Sequence, residues 1–201
     1  MKVFRLVDEI AEVPRAHPWT HVRQDPDQRY RDFRRNPELI PHALEDFTPW
    51  SSYPAIQNFY QLLRNINGPR SQFESNDCAF VGPRNNTDRN FAKNLCCIGR
   101  LMILFRDLGL NLSRDCVSWL EEDITYFLSR LDPDNESGIV GTAVIPVQYL
   151  DLPGSPFGYQ LMLSFFAWGD TEDDVMASLD RVFRNLSHAL PGLLRDPDLW
   201  L

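Results

Sequence analysis

Two runs of strand-forming residues in the C-terminal half constrain the fold more than any other feature. Residues 138–147 read "GIVGTAVIPV", residues 159–168 read "YQLMLSFFAW", and the Pro- and Gly-rich stretch "DLPGSPFG" lies between them. β-Branched and aromatic residues favour strands, so this pattern predicts an antiparallel hairpin with a wide loop. Because a two-stranded hairpin is marginally stable by itself, further strands are needed, and residues 2–7 and 78–82 are the candidates.

Amphipathic patterns predict the helices that cover this sheet. Apolar residues recur at helical spacing over 53–66, 88–108 and 113–131, with Ser52 and Ser113 as predicted N-caps. The 88–108 pattern is the most hydrophobic, and its short link to the next one predicts a long antiparallel helical hairpin. Thr171 begins a last amphipathic helix. We therefore expect an α+β fold, with a small mostly antiparallel sheet packed against the helical hairpin and the C-terminal helix.

The chain length and the proline distribution indicate how this fold is organised. A chain of 201 residues is long enough to bury a core without metals or disulfides, so we expect one domain over 1–201. The region 8–50 is rich in Pro and Arg and predicts only short helices, near 26–35 and 37–46, where Asp-Pro and Asn-Pro pairs resemble helix starts.

Charge and hydropathy exclude several classes of protein. The net charge is −8, and the arginines near residues 23–35 alternate with aspartates, which disfavours a nucleic-acid footprint or an anionic membrane surface. No run approaches the roughly 18 apolar residues of a membrane span, and the first residues do not resemble a signal peptide. We therefore expect a cytoplasmic protein that binds neither nucleic acid nor membrane.

The sequence contains no pattern that predicts a metal or a cofactor. Cys78, Cys96, Cys97 and Cys116 are expected to be thiols that pack as small hydrophobic residues, because adjacent cysteines on a helix cannot chelate one ion. His17 and His21 are four residues apart but lack the rest of a zinc motif, and surface or capping roles are favoured. The acidic stretch "GDTEDD", 169–174, is interpreted as a helix N-terminus rather than a cation site.

The stretch "FESNDCAFVGPRNNTDRN", 73–90, is the candidate site. It predicts a strand, a turn and then the N-terminus of the buried helix, where free N–H groups and the helix dipole favour an anion. The expected donors to that anion are Arg84, Asn85, Asn86 and Arg89. The candidate catalytic residues are Glu74, Asp77 and Cys78. The competing interpretation is structural: Thr87 or Asp88 caps the helix, the asparagines form turns and Cys78 lies in the core.

Two functions remain open at this point. The first is a cytoplasmic enzyme or ligand-binding domain that acts on a small anionic metabolite through the junction at 74–89, without a cofactor; whether it is an enzyme is uncertain. The alternative is a non-catalytic acidic interaction protein, immunity- or antitoxin-like, that covers a basic partner. The apolar chain end "HALPGLLRDPDLWL" is expected to dock, either on its own domain or in a second subunit of a homodimer.

Overall fold

The computed structural model describes residues 1–6, 15–18, 32–43, 49–88 and 90–194. Within these ranges the chain forms one mixed sheet of six strands together with four α-helices, which confirms an α+β fold. The strands lie in the order β1-β5-β6-β4-β3, and β2 also pairs with β5. Their bounds are β1 Lys2–Arg5, β2 Arg15–His17, β3 Phe73–Asn85, β4 Leu95–Phe105, β5 Gly138–Tyr149 and β6 Phe157–Gly169. The helices are α1 Leu39–Ala43, α2 Pro54–Ile66, α3 Arg114–Arg130 and α4 Glu172–Leu194.

The predicted C-terminal hairpin is confirmed. β5 and β6 are antiparallel over eleven residue pairs, from Gly138 opposite Ala167 to Gln148 opposite Phe157. Their connection contains Gly154, whose φ of 79° lies in the left-handed region that glycine adopts without steric cost. β1 and β2 run parallel to opposite ends of β5, at residues 139–142 and 147–149. Pro146 falls between these two paired stretches, where a missing N–H is tolerated.

The predicted helix over 88–108 is wrong, because residues Leu95–Phe105 form the strand β4. β4 pairs with β3 on one side and β6 on the other, and it is buried on both faces of the sheet. A strand buried on both faces has a continuous apolar sequence, which periodicity does not distinguish from a buried helix. The long helical hairpin is therefore absent among the described elements, and α3 instead packs against β1, β5 and β6.

Three helices cover one face of the sheet and form the main core with it. α2, α3 and α4 contribute apolar side chains such as Phe59, Leu120 and Phe183, which pack with Leu163 and Phe165 of β6. The predicted starts of all three helices, and the predicted ends of α2 and α3, are confirmed to within about one residue. The predicted capping role of Ser52 is wrong: Tyr53 precedes α2 and forms no side-chain capping bond, while Pro54 occupies the first turn.

The α3 and α4 N-termini are capped as the sequence predicts. Ser113 Oγ accepts a hydrogen bond from Cys116 N at 3.3 Å. Thr171 and Asp174 form a reciprocal capping box: Asp174 N donates to Thr171 Oγ1 at 3.2 Å and Thr171 N donates to Asp174 Oδ2 at 3.1 Å. These bonds lower the pKa of Asp174 from its usual value. They fix the direction in which both helices leave the sheet.

Several predictions fall outside the described residues. The short helix expected near 26–35 lies mostly there, whereas α1 falls within the second predicted helix, 37–46. The C-terminal segment 195–201, expected to dock on the domain or on a second subunit, also lies outside them. A single domain over 1–201 remains a prediction.

Candidate functional site

β3 carries most of the predicted site residues but does not bring them together. Glu74 and Cys78 lie in its first half, and Arg84 and Asn85 lie at its end. A strand rises by about 3.3 Å per residue, so Glu74 and Arg84 are roughly 30 Å apart. Since that distance exceeds the size of a metabolite, the two groups cannot line one small-molecule pocket. Arg89 lies outside the described residues.

A loop, not a helix, follows β3 and connects it to β4. The described residues therefore contain no helix N-terminus at this place that could bind the expected anion. The side chain of Asn86 instead holds the loop between β3 and β4. Its Nδ2 donates to the carbonyl oxygens of Asp88 at 3.2 Å, Phe91 at 3.0 Å and Lys93 at 2.9 Å, and its Oδ1 accepts from Asp88 N at 3.0 Å. Asn86 therefore acts as a turn residue, and the neighbouring Arg84 and Asn85 are exposed.

Glu74 is buried, and both of its carboxylate oxygens have partners. Glu74 is only 3% exposed; its Oε1 lies 2.7 Å from His17 Nε2, and its Oε2 lies 2.8 Å from Arg34 Nη1. His17 is buried as well, whereas the side chain of Arg34 is 36% exposed. The surface or capping role predicted for His17 is therefore wrong. A buried carboxylate needs partners of this kind to offset its lost hydration.

Further polar groups extend this cluster across the sheet. Asn76 Nδ2 donates to the carbonyl oxygen of Ala16 at 3.2 Å and to Gln160 Oε1 at 3.0 Å. Tyr149, whose ring centroid lies 5.6 Å from that of His17, donates its hydroxyl to the carbonyl oxygen of Tyr159 at 2.7 Å. Burial raises the pKa of Tyr149, and the Glu74 carboxylate adds to the effect.

The cluster joins two strands that are not neighbours in the sheet. β5, β6 and β4 lie between β2, which carries His17, and β3, which carries Glu74. Adjacent strands are about 4.8 Å apart, so a direct His17–Glu74 bond requires the sheet to curl strongly at this end. The bonds of Glu74 and Asn76 therefore act as a cross-link that closes the curled end of the sheet.

The other two predicted catalytic residues have structural surroundings. Cys78 pairs with Leu101 of β4 and packs, half-buried, against the main core, which agrees with a core cysteine. Asp77 lies where the β3–β4 register shifts between Ser75 and Cys78, so this residue belongs to a β-bulge. Among the described residues, no group of His, Cys, Asp and Glu is arranged to hold a metal ion.

The acidic stretch before and within the first turn of α4 is satisfied by its own neighbours. Lys93 Nζ lies 2.7 Å from Asp170 Oδ2. The Tyr53 hydroxyl donates to Asp173 Oδ1 at 2.8 Å and to Glu172 Oε1 at 3.2 Å, and these bonds raise the pKa of Tyr53 to about 12. Asp174 is bonded within the capping box, so all four carboxylates of this stretch have an internal partner. This agrees with the interpretation of the stretch as a helix N-terminus rather than a cation site.

On one surface of α3, in contrast to the start of α4, most carboxylates lack an internal partner among the described residues; we call this surface the α3 outer face. Successive residues of a helix are rotated by about 100°, which places this surface opposite the buried positions Val117, Leu120, Ile124 and Leu128. The α3 outer face comprises Asp115, Trp119, Glu122, Asp123, Tyr126 and Arg130. Tyr126 is 52% exposed, although aromatic side chains bury a large apolar area when they can. Phe127, at the edge of the face, is 39% exposed and meets Tyr126 edge to face at 5.5 Å.

The carboxylates of the α3 outer face are largely without cations. Asp115 and Asp123 form no ion pair within the part of the chain that the structure describes. Glu122, with a side chain 65% exposed, lies 3.7 Å from Arg5 Nη2, which is closer to Glu121 at 2.9 Å. Partial burial and the neighbouring Glu122 raise the pKa of Asp123. A cation brought to this turn would therefore relieve an unfavourable charge arrangement.

The sequence contains a signal for the α3 outer face, and one acidic residue of α3 does not follow it. Acidic and aromatic residues recur every three or four positions opposite the apolar stripe, which is the mark of one helix surface. Glu121 is buried instead: its Oε1 accepts a hydrogen bond from Thr142 Oγ1 at 2.8 Å, and its Oε2 pairs with Arg5. Helical periodicity places Glu121 beside the apolar stripe, and the polar Thr142 of β5 is what accommodates it.

The pocket found among the described residues is too small for a metabolite, and the comparisons with known proteins find no relative. An apolar pocket between α2, β3 and α4, lined in part by Leu62, Phe73 and Leu190, has a volume of about 10 Å³. That is room for about one water molecule and not for a metabolite. No described helix has the length and apolar character needed to cross a membrane. Searches of protein families, curated proteins and solved structures find no match to this chain.

Proposed function

We propose that this protein is a non-catalytic, cytoplasmic, acidic interaction protein that covers the basic surface of a partner, as immunity proteins and antitoxins do. The observation that carries the proposal is the α3 outer face, where the exposed rings of Tyr126 and Phe127 stand near carboxylates that are mostly unpaired among the described residues. The exception is Glu122, whose carboxylate lies 3.7 Å from Arg5. The four cysteines are free thiols, two of them buried, which fits a reducing compartment.

The charge distribution supports a basic partner. The chain has a net charge of −8, and the acidic groups at the start of α4 are bonded to Lys93, Tyr53 and Thr171. Asp115 and Asp123 have no ion pair among the described residues, and Glu122 has only a 3.7 Å contact with Arg5, so the field of these carboxylates extends into solvent. Such a field speeds encounter with a cationic surface and disfavours acidic competitors.

The aromatic residues can contribute the binding affinity that exposed charges alone do not provide. Exposed carboxylate pairs contribute little to affinity, because both partners stay solvated. Rings that become buried at the centre of an interface contribute more, and Tyr and Trp are enriched among such residues. Tyr126 is the most exposed ring of the α3 outer face, and Glu122 lies one helical turn from it. This arrangement fits an apolar anchor with an acidic rim.

The metabolite site expected at 74–89 receives less support. Glu74 would need to release His17 or Arg34 before it could transfer a proton to a substrate, and breaking a buried pair costs several kcal/mol. Arg84 and Asn85 lie roughly 30 Å from it along the strand. These contacts favour a structural role for Glu74.

The proposal is tested by immobilising the protein, capturing partners from a lysate of the producing cell at low salt, and measuring the affinity of each identified partner. The test variant is Glu122→Lys/Asp123→Lys. The matched control is Glu136→Lys/Asp151→Lys, which makes the same charge change at two exposed loop residues. We expect a basic partner whose affinity falls at least about tenfold for the α3 variant and no more than about threefold for the control.

Two results would contradict the proposal. Equal losses in both variants would mean that binding follows net charge rather than the α3 outer face. Unchanged affinity in the α3 variant, or the absence of any basic partner, would mean that the α3 outer face is not a binding surface for a basic protein. Circular dichroism of each variant verifies that α3 remains folded.

A further inference from the structure

The α3 outer face already holds one guanidinium. Arg130 Cζ lies 3.5 Å from the centroid of the Tyr126 ring, and Arg130 Nη1 donates to the Tyr126 carbonyl oxygen at 3.1 Å. Both residues are exposed, and the contact lies in the last turn of α3, where the helix dipole favours a positive charge. The ring, the carbonyl oxygen and the helix end thus form a receptor for a planar cation.

The same receptor has acidic groups one helical turn away. Helical side chains tilt toward the N-terminus, so the Tyr126 ring leans toward the turn that carries Glu122 and Asp123. Arg130 lies on the C-terminal side of the ring and forms no ion pair with either carboxylate in the described residues. The Arg130 guanidinium therefore stacks on the Tyr126 ring but does not pair with Glu122 or Asp123.

We infer that the partner of the α3 outer face presents arginine, and that one of its guanidiniums displaces Arg130 from the Tyr126 ring. This inference rests on the proposed function. An incoming arginine can stack on the ring and also donate to Glu122 or Asp123, so it makes more contacts than Arg130 does. Arginine is favoured over lysine because its planar guanidinium stacks on an aromatic face and donates in a fixed fork, whereas an ammonium is a compact, strongly hydrated charge.

Arg130 is then an internal competitor, and its removal should tighten binding. The probes are an arginine-rich peptide and a lysine-rich peptide of equal length and charge, titrated calorimetrically into the full chain. Wild type should bind the arginine peptide about two- to fivefold more tightly, the ratio that an exposed cation–π contact supplies. Arg130→Met should strengthen binding of the arginine peptide by a further factor of about two to five. Tyr126→Leu should abolish the preference for arginine.

Two controls separate displacement from a change in net charge. Arg64→Met removes the same charge from an exposed position on α2, which lies outside the α3 outer face. Arg130→Lys keeps the charge of residue 130 but weakens its stacking on the ring, so it should tighten arginine-peptide binding while leaving net charge unaltered. It also keeps a cation at the helix end in case Arg130→Met destabilises α3.

The inference is overturned if Arg130→Met weakens binding of the arginine peptide, or strengthens it no more than Arg64→Met does. It also fails if wild type binds both peptides equally. If Glu122→Lys/Asp123→Lys weakens binding while the Arg130 variants do not strengthen it, only the displacement is wrong and the proposed function stands. If that charge reversal leaves peptide binding unchanged, the proposed function fails with it.

Discussion

The two ends of β3 carry similar polar residues but place them in opposite environments. At the first end, Glu74 is buried and bonded to His17 and Arg34, and Asn76 bonds to Gln160 across the sheet. At the other end, Arg84 and Asn85 are exposed, and their side chains form no hydrogen bond or ion pair with the described residues. Both ends belong to the same thirteen-residue strand.

This difference shows that a high density of polar residues is not by itself a sign of a site. At the Glu74 end, bonds between polar side chains replace part of their lost hydration and connect the sheet across three intervening strands, although Asn76 Oδ1 and Gln160 Nε2 find no partner among the described residues. At the Arg84 end, the side chains of Arg84 and Asn85 remain exposed to solvent and form no bonds to other described residues. The surface that we propose as functional lies on neither end but on α3, where polar and aromatic groups are exposed together.

The largest effect is expected from Glu74→Ala. The substitution leaves His17 without its carboxylate in a buried position and removes the ion pair of Arg34. Breaking a buried pair by deleting one partner costs about 3–5 kcal/mol. The free energy of unfolding should fall by that amount in urea denaturation, followed by circular dichroism.

Glu74→Gln is the matched control, because it keeps the size of the side chain and one hydrogen-bond acceptor while removing the charge. It should lose less stability than Glu74→Ala. If Glu74→Ala unfolds at the same urea concentration as wild type, the cross-link between β2 and β3 does not contribute to stability, and the contrast between the two ends of β3 is lost.

A smaller effect is expected from Asn86→Ala, just beyond the exposed end of β3. The side chain makes four hydrogen bonds to the backbone of the loop that follows. Because these bonds are partly exposed, their joint loss should cost about 1–2 kcal/mol. Amide hydrogen exchange should quicken in residues 86–94 and stay unchanged near Glu74.

Asn90→Ala is the comparison for Asn86→Ala within the same loop. The Asn90 side chain makes a single bond, from Nδ2 to Asp88 Oδ1 at 2.9 Å, so its loss should cost less. Equal destabilisation by the two substitutions would mean that Asn86 does not organise the loop.

The sequence predicted those parts of the fold whose residues carry a clear local signal. β5 and β6 are rich in β-branched and aromatic residues, and α2, α3 and α4 have an apolar stripe with polar residues opposite. β4 lacks such a signal: it is buried on both faces, as β5 is, but its apolar run consists largely of Leu, Met and Cys rather than β-branched residues, so it fits a buried helix equally well. That one misassigned element also created the helix N-terminus on which the anion site depended.

The contacts of Glu74 could not be predicted, for a different reason. His17 precedes it by 57 residues and Arg34 by 40, and both lie in a region with little periodic pattern. Local sequence indicates that a polar group is present, but not which distant residue will neutralise it. The α3 outer face was more accessible, since its members lie within one helix at helical spacing.

The smallest effect is expected from Arg84→Ala and Asn85→Ala at the exposed end of β3. Neither side chain is buried or bonded to described residues, so each substitution should change the free energy of unfolding by no more than about 0.5 kcal/mol. Inorganic phosphate should not raise the melting temperature of wild type any more than that of Arg84→Ala. A phosphate-dependent stabilisation that disappears in Arg84→Ala would instead restore an anion site to this end of the strand. The two ends of β3 would then differ in function as well as in burial, and the contrast drawn from their contacts would need to include a ligand.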